Sequence, residues 1–151
     1  NERANTMSWP AGTAKYLRAM LAELPGFRAR PYDLVLDGVP YAGPGMLVSV
    51  GNGTSYGGGM QVCPTASLTD GLLDITWLGQ VGTVEFLRVF PKVYRGTHIH
   101  HPAVRTLTAR DIEIQAPGQV AYADGERIGP LPIRVSVVPG ALRVLDTSAA
   151  S

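Results

Sequence analysis

Between Thr13 and Leu24 the apolar residues fall at Leu17, Met20, Leu21 and Leu24, with Tyr16 beside them, the spacing that gathers side chains on one face of a helix. Thr13 can cap its start by accepting from an otherwise unpaired backbone N–H, and Pro25-Gly26 ends it. A second, weaker helical pattern runs from Val81 to Tyr94 and is interrupted by Pro91.

Elsewhere the pattern shortens to strand-length runs: Tyr32 to Asp37, Gly45 to Val50, Met60 to Val62, Leu73 to Leu78, Ala103 to Ala109, Asp111 to Ala116, Val120 to Ala123, Ile133 to Val138 and Ala141 to Leu145. Apolar and polar residues alternate from Arg110 to Gln115, which turns Ile112 and Ile114 to a core and Glu113 to water. Gly, Pro and Asp separate the runs. The predicted fold is mainly β, an antiparallel β-sandwich with one N-terminal amphipathic helix and one shorter helix.

Composition supports one turn-rich domain. The chain has 151 residues, and its 18 glycines and 12 prolines make about a fifth of it with no Gly-X-Y period. A net charge of +1, with the basic residues scattered singly, offers no stripe for a nucleic-acid backbone, so no nucleic-acid partner is expected. Cys63 is the only cysteine, which excludes an internal disulfide and a thiolate metal centre and fits a reducing, cytoplasmic compartment. No apolar run reaches the roughly 18 residues that span a bilayer. Asn1-Glu2-Arg3 does not open a signal peptide, and the polar start without methionine reads as a segment cut from a longer protein. The Thr147 to Ser151 tail reads as a frayed natural C-terminus, and no internal repeat or domain boundary is visible.

Three Asp-Gly pairs stand at Asp37-Gly38, Asp70-Gly71 and Asp124-Gly125, and each is first of all a hairpin signal, because both residues accept positive φ. Asp37-Gly38 reads as a plain turn. Asp124-Gly125-Glu126 sets two carboxylates at a tight turn, where one of them can collect a proton from a bound group. Asp70-Gly71-Leu72-Leu73-Asp74 reads either as a solvated turn or as a carboxylate and turn carbonyls for a hard cation such as magnesium. The Gly51 to Met60 block matches neither a P-loop nor a dinucleotide fingerprint, so close strand packing is expected there ahead of an anion nest. His98, His100 and His101 lack a fourth nitrogen or sulfur ligand, and His100 and His101 would point to opposite sides of an extended chain.

These pieces occur in one order: the Gly-rich block, Pro64-Thr65-Ala66, Asp70-Gly71-Leu72-Leu73-Asp74, Gly96-Thr97-His98, Asp124-Gly125-Glu126 and Pro139-Gly140-Ala141-Leu142. That order resembles the C-terminal domain of the diacylglycerol kinase family of bacterial lipid kinases, related to sphingosine kinases and more distantly to NAD kinases. The likeness covers nearly the whole chain, including the helix that follows Trp9-Pro10.

The resemblance implies that residues 1–151 are the C-terminal β-sandwich domain of a two-domain, ATP-dependent lipid kinase. The nucleotide motif Gly-Gly-Asp-Gly-Thr belongs to an N-terminal α/β domain absent from this chain, which should therefore be inactive alone. By the same resemblance Glu126 is the general base toward the lipid hydroxyl, and Asp124 and Gly125 lie beside the nucleotide phosphates. Asp70 is the carboxylate of a structural magnesium site, with the carbonyls of Ser67 and Leu72 as co-ligands. The chain departs from the family pattern at Thr69 and Thr65, which remove negative charge near that site. The implied partners are a lipid such as diacylglycerol at a membrane surface, met by peripheral contact, and the missing N-terminal domain; exposed strand edges leave a homodimer open. Two alternatives stay open: a non-catalytic β-sandwich binding module, and a kinase of the same scaffold acting on a sphingoid or other lipid alcohol.

Overall fold

A computed structural model describes residues 28–56 and 58–142. The helix expected from Thr13 to Leu24 and most of the strand expected from Ala141 to Leu145 lie outside these residues. Among the described residues, nine strands form three antiparallel sheets. Strands β1 (Arg30–Leu36), β2 (Val39–Gly45), β6 (Asp111–Gln115) and β9 (Ile133–Ser136) make a four-stranded sheet in the order β2-β1-β6-β9. Strands β3 (Leu47–Gly51), β4 (Leu73–Leu78) and β5 (Val104–Ala109) make a three-stranded sheet in that order, and β7 (Val120–Ala123) pairs with β8 (Glu126–Pro130).

The two larger sheets share one core. Tyr32, Leu34 and Leu36 alternate inward from β1, Ile112 and Ile114 from β6, and they meet Leu73, Ile75 and Trp77 of β4. Glu113 is exposed, as the alternation in this strand requires. Leu34, Ile75 and Ile112 are at most 1% exposed, so the sandwich is closed by aliphatic packing, which stabilises by roughly 1.5–3 kcal/mol for each large side chain fully buried.

Strand β4 is buried along its whole length because both its faces are covered. One face carries Leu73, Ile75 and Trp77 into the sandwich core. The other carries Asp74, Thr76 and Leu78 toward a cap made of the loop before β4 and a helical segment after it. That segment is α1 (Thr83–Val89) followed by 3₁₀ turns over Phe90–Arg95 and Thr97–His100. Phe86 and Val81 pack there on Met46, Leu78 and Val104, forming a second, smaller core.

The strands at Leu73–Leu78 and Val120–Ala123 match expectation residue for residue, and those near 30–36, 104–109, 111–115 and 133–136 differ only at their ends. Two expectations fail, and a third, the helical pattern interrupted at Pro91, holds over a shorter span. The run from Gly45 to Val50 is the end of β2 and most of β3, parted at Met46. Met60 to Val62 is loop, with a single bridge from Tyr56 to Met60. The helix expected from Val81 to Tyr94 is α-helical only to Val89, because Pro91 has no N–H to continue the ladder and the chain tightens to 3₁₀ instead.

Two strands were not expected at all. Strand β2 reads Val-Pro-Tyr-Ala-Gly-Pro-Gly, and it tolerates Pro40 and Pro44 because it is the outermost strand of its sheet. Its glycines admit Trp77: a Cβ on Gly45 would lie 2.7 Å from the indole Nε1, which donates to the Pro44 carbonyl at 3.3 Å. Strand β8, Glu-Arg-Ile-Gly-Pro, has almost no apolar pattern because it has almost no buried face.

Candidate functional site

Between β6 and β9, which are neighbours in the four-stranded sheet, the chain leaves and returns through the β7–β8 ribbon. Asp124 and Gly125 form its two-residue turn, with φ of +50° and +89°, the type I′ geometry that matches the twist of the flanking strands. Glu126 pairs with Ala123 at the foot of that turn. Asp124, Gly125 and Glu126 are all exposed, and neither carboxylate enters an ion pair with a described residue. A bulge follows, in which Tyr122 pairs with Arg127 and Ala121 with Gly129, leaving Ile128 as the extra residue, 59% exposed. The ribbon therefore presents a carboxylate at its tip and apolar surface along its side.

Asp37-Gly38 is the same type of turn, with φ of +49° and +84° between β1 and β2. Its carboxylate is committed to the fold. Asp37 accepts from the backbone N–H of Asp111 at 2.8 Å and of Arg110 at 3.0 Å, tying the β1–β2 turn to the β5–β6 turn.

Ser67, Asp70 and Leu72 lie together in the loop before β4. Asp70 Oδ1 accepts from the Leu72 N–H at 2.9 Å, and Ser67 Oγ accepts from the Thr69 N–H at 3.3 Å, so two side-chain-to-backbone turns shape the segment. Asp70 is exposed. The donors available are one carboxylate, two backbone carbonyls and hydroxyls, an all-oxygen set that suits a hard cation keeping several waters. Among the described residues no three His, Cys, Asp or Glu side chains converge as a metal cluster.

Residues on either side of the loop of residues 67–72 converge on the outer face of β4. Asp74 is 4% exposed and accepts from the Thr65 hydroxyl at 2.7 Å. Thr76 donates to the Val62 carbonyl at 2.7 Å, and the buried Cys63 thiol lies 3.6 Å from both Thr76 Oγ1 and the Asp74 carbonyl. Cys63 is 1% exposed, and its burial pushes the thiol's pKa up, as suits a packing residue. The pairing of Thr65 with Asp74 was not visible in the sequence, where Thr65 stood only as a departure from an acidic position.

The three histidines separate. His98 is buried, with Nε2 3.2 Å from the Val62 carbonyl and Nδ1 without a partner among the described residues. His101 Nε2 meets Glu85 at 3.1 Å, and His100 is exposed. His100 ends a 3₁₀ turn, so the extended geometry expected for this stretch does not occur.

Residues 1–146 match the family described as the YegS C-terminal NAD kinase β-sandwich-like domain. A protein named diacylglycerol kinase from Mycobacterium tuberculosis (strain H37Rv) is 44% identical over 146 residues, 96% of this chain and 47% of that protein. One named "Probable lipid kinase YegS" from Salmonella newport is 28% identical over 116 residues, 68% of this chain and 33% of that protein. Among solved structures, a diacylglycerol kinase from Bacillus anthracis superposes with a TM-score of 0.59 at 23% identity, over 79% of this chain and 43% of its own, a likeness of fold alone. The chain spans less than half the length of these relatives. With its sandwich, its ribbon and its family match taken together, the chain belongs to the YegS C-terminal NAD kinase β-sandwich-like domain family.

Proposed function

We propose that this chain is the acceptor-side half of an ATP-dependent lipid kinase, and that Glu126 is the base that takes the proton from the lipid hydroxyl. One observation carries the reading. Glu126 sits at the foot of a ribbon that stands apart from both main sheets, exposed and in no ion pair with a described residue.

In the proposed step the hydroxyl oxygen of a diacylglycerol bonds to the γ-phosphorus of ATP. The bond from that phosphorus to the β,γ-bridging oxygen breaks, ADP leaves, and the hydroxyl proton passes to a carboxylate oxygen of Glu126. Phosphoryl transfer asks a protein mainly for positioning and charge neutralisation, and a placed base adds on the order of 10²- to 10⁴-fold. The Asp124-Gly125 turn would face the nucleotide phosphates. A nucleotide lobe of about 150 residues upstream would complete the cleft. Ser67, Asp70 and Leu72 would hold a magnesium ion that orders the loop before β4, a role apart from the chemical step. The names of the relatives, and the matches covering 47% and 33% of them, support a kinase with a second domain.

The rival reading, a non-catalytic module, is favoured by the positive φ of Asp124 and Gly125, which explains those two residues as turn formers and nothing more. It leaves Glu126 unexplained. The deciding experiment is phosphate transfer from labelled ATP to dispersed diacylglycerol by the full-length protein and its Glu126→Gln variant. A loss of 10²-fold or more is expected. An unchanged rate removes Glu126 from the mechanism, and no transfer by the unaltered protein removes the kinase reading.

A further inference from the structure

The helical segment that caps the outer face of β4 is two-sided. Phe86 and Val89 are buried, with Phe86 in the smaller core, whereas Val84, Leu87, Arg88, Pro91, Lys92 and Arg95 are exposed. Val84, Leu87 and Arg88 have the spacing of one face of α1, and Pro91, Lys92 and Arg95 are exposed on the 3₁₀ turn that continues it. Two large apolar side chains point outward on it: Val84 is 62% exposed and Leu87 41%.

The charge on this face has one sign. Arg88, Lys92 and Arg95 make no ion pair with a described residue. The nearest acid in sequence, Glu85, is turned to His101, with its Oε1 3.1 Å from Nε2. No acidic residue follows from Phe86 to Arg110, a stretch that also contains Arg105. An exposed apolar pair bordered by three cations that pair with no described residue fits a surface that is apolar inside and anionic at its rim. Lys and Arg stems can lie along such a surface while their charged ends reach the phosphates.

The segment is also firmly seated. The Gln61 N–H donates to the Val93 carbonyl at 2.9 Å, and Gly96 packs against Pro64. It is thereby joined to the loop that runs on to Asp70.

We infer that the Val84–Arg95 face docks on an anionic phospholipid bilayer and so brings the kinase to the surface where its lipid acceptor lies. The inference rests on the lipid-kinase reading above for its purpose, but its test requires no turnover. Each basic residue held near an anionic leaflet favours binding enough that neutralising three should weaken it on the order of 10²-fold.

The test is cosedimentation of the full-length protein with vesicles of phosphatidylcholine, with and without phosphatidylglycerol, at low and high salt. The unaltered protein should partition onto the phosphatidylglycerol vesicles and leave them as salt rises. The triple variant Arg88→Gln, Lys92→Gln, Arg95→Gln should partition about 10²-fold less, and the pair Val84→Ser, Leu87→Ser should bind both vesicle types more weakly. All these side chains are exposed, and thermal melts of the variants should overlay the unaltered protein. Equal partitioning of the triple variant, or no preference of the unaltered protein for phosphatidylglycerol, overturns the inference. So does a change of oligomeric state without a change in partitioning, which would make the face a protein contact. Glu126→Gln should partition normally, so a protein that binds vesicles through this face yet transfers no phosphate would defeat the kinase reading alone.

Discussion

Gly96 lies so close beneath Pro64 that a Cβ added to it would stand 2.8 Å from the proline Cβ, with Gln61 Oε1 equally near. Gly96 also has a φ of +67°, where it both ends one 3₁₀ turn and begins the next. Two motifs more than thirty residues apart in the chain, Pro64-Thr65-Ala66 and Gly96-Thr97-His98, are thus one packing unit against the outer face of β4.

Gly96→Ala should therefore cost about 2–4 kcal/mol, the sum of a left-handed backbone and an overpacked contact with little room to yield. Gly125→Ala isolates the backbone part, since its φ is +89° but a Cβ there would meet nothing within 4 Å. It should cost about 1–2 kcal/mol. Urea unfolding of the two variants checks this, and equal losses would show that the contact with Pro64 carries no energy.

The ribbon predicts a separation of stability from activity. Asp124→Asn should leave stability within about 0.5 kcal/mol, because asparagine accepts the same left-handed conformation. Glu126→Gln should be as neutral, since the carboxylate is exposed and pairs with no described residue. If denaturation of Glu126→Gln instead shows a loss above about 1 kcal/mol, the carboxylate has a structural role and its assignment as a base weakens.

The sandwich was legible because its strands alternate or run apolar: Ile112 and Ile114 could be assigned to the core from their neighbours alone. Strands β2 and β8 were not, for opposite physical reasons. Strand β2 is an edge strand shaped to receive Trp77, so prolines and glycines replace the usual β-formers, and β8 buries too little to show any pattern. The candidate residues were legible as motifs but not as roles. Asp37 and Asp124 look alike in sequence, and only their surroundings separate them. Asp37 holds two backbone N–H groups across the β5–β6 turn, whereas Asp124 holds none with a described residue. Thr65 and Asp74 were each in view, and their hydrogen bond depends on a loop return that no spacing rule announces.

For the loop before β4, Asp70→Asn and Asp70→Ala make different predictions. Asparagine keeps an oxygen that can accept from the Leu72 N–H, so the turn should survive and stability without added metal should change by less than about 0.5 kcal/mol. Alanine loses the turn and should cost about 1 kcal/mol. Both variants should lose any rise in melting temperature that added magnesium gives the unaltered protein, because the single carboxylate supplies the site's charge. Magnesium stabilising Asp70→Asn as well as the unaltered protein would place the ion elsewhere.

His98 makes the fold sensitive to acid. Its ring is buried with Nε2 against the Val62 carbonyl, so the neutral tautomer that donates from Nε2 leaves Nδ1 as a bare acceptor. Protonation would put a charged N–H at Nδ1 where no described group accepts it. Burial accordingly pulls the pKa below the ordinary 6.5, only partly opposed by the hydrogen bond to Val62. Below 6.5 the unfolded chain takes up a proton that the folded chain refuses. The contribution to stability is therefore complete above 6.5 and is lost progressively as pH falls toward the depressed folded value. Urea midpoints should drop between about pH 7 and about pH 5, and in His98→Gln, which has no proton to gain, the slope over that interval should shrink. An unchanged slope in the variant would mean that another group sets the acid sensitivity and that the folded protein protonates His98 as readily as the unfolded chain does.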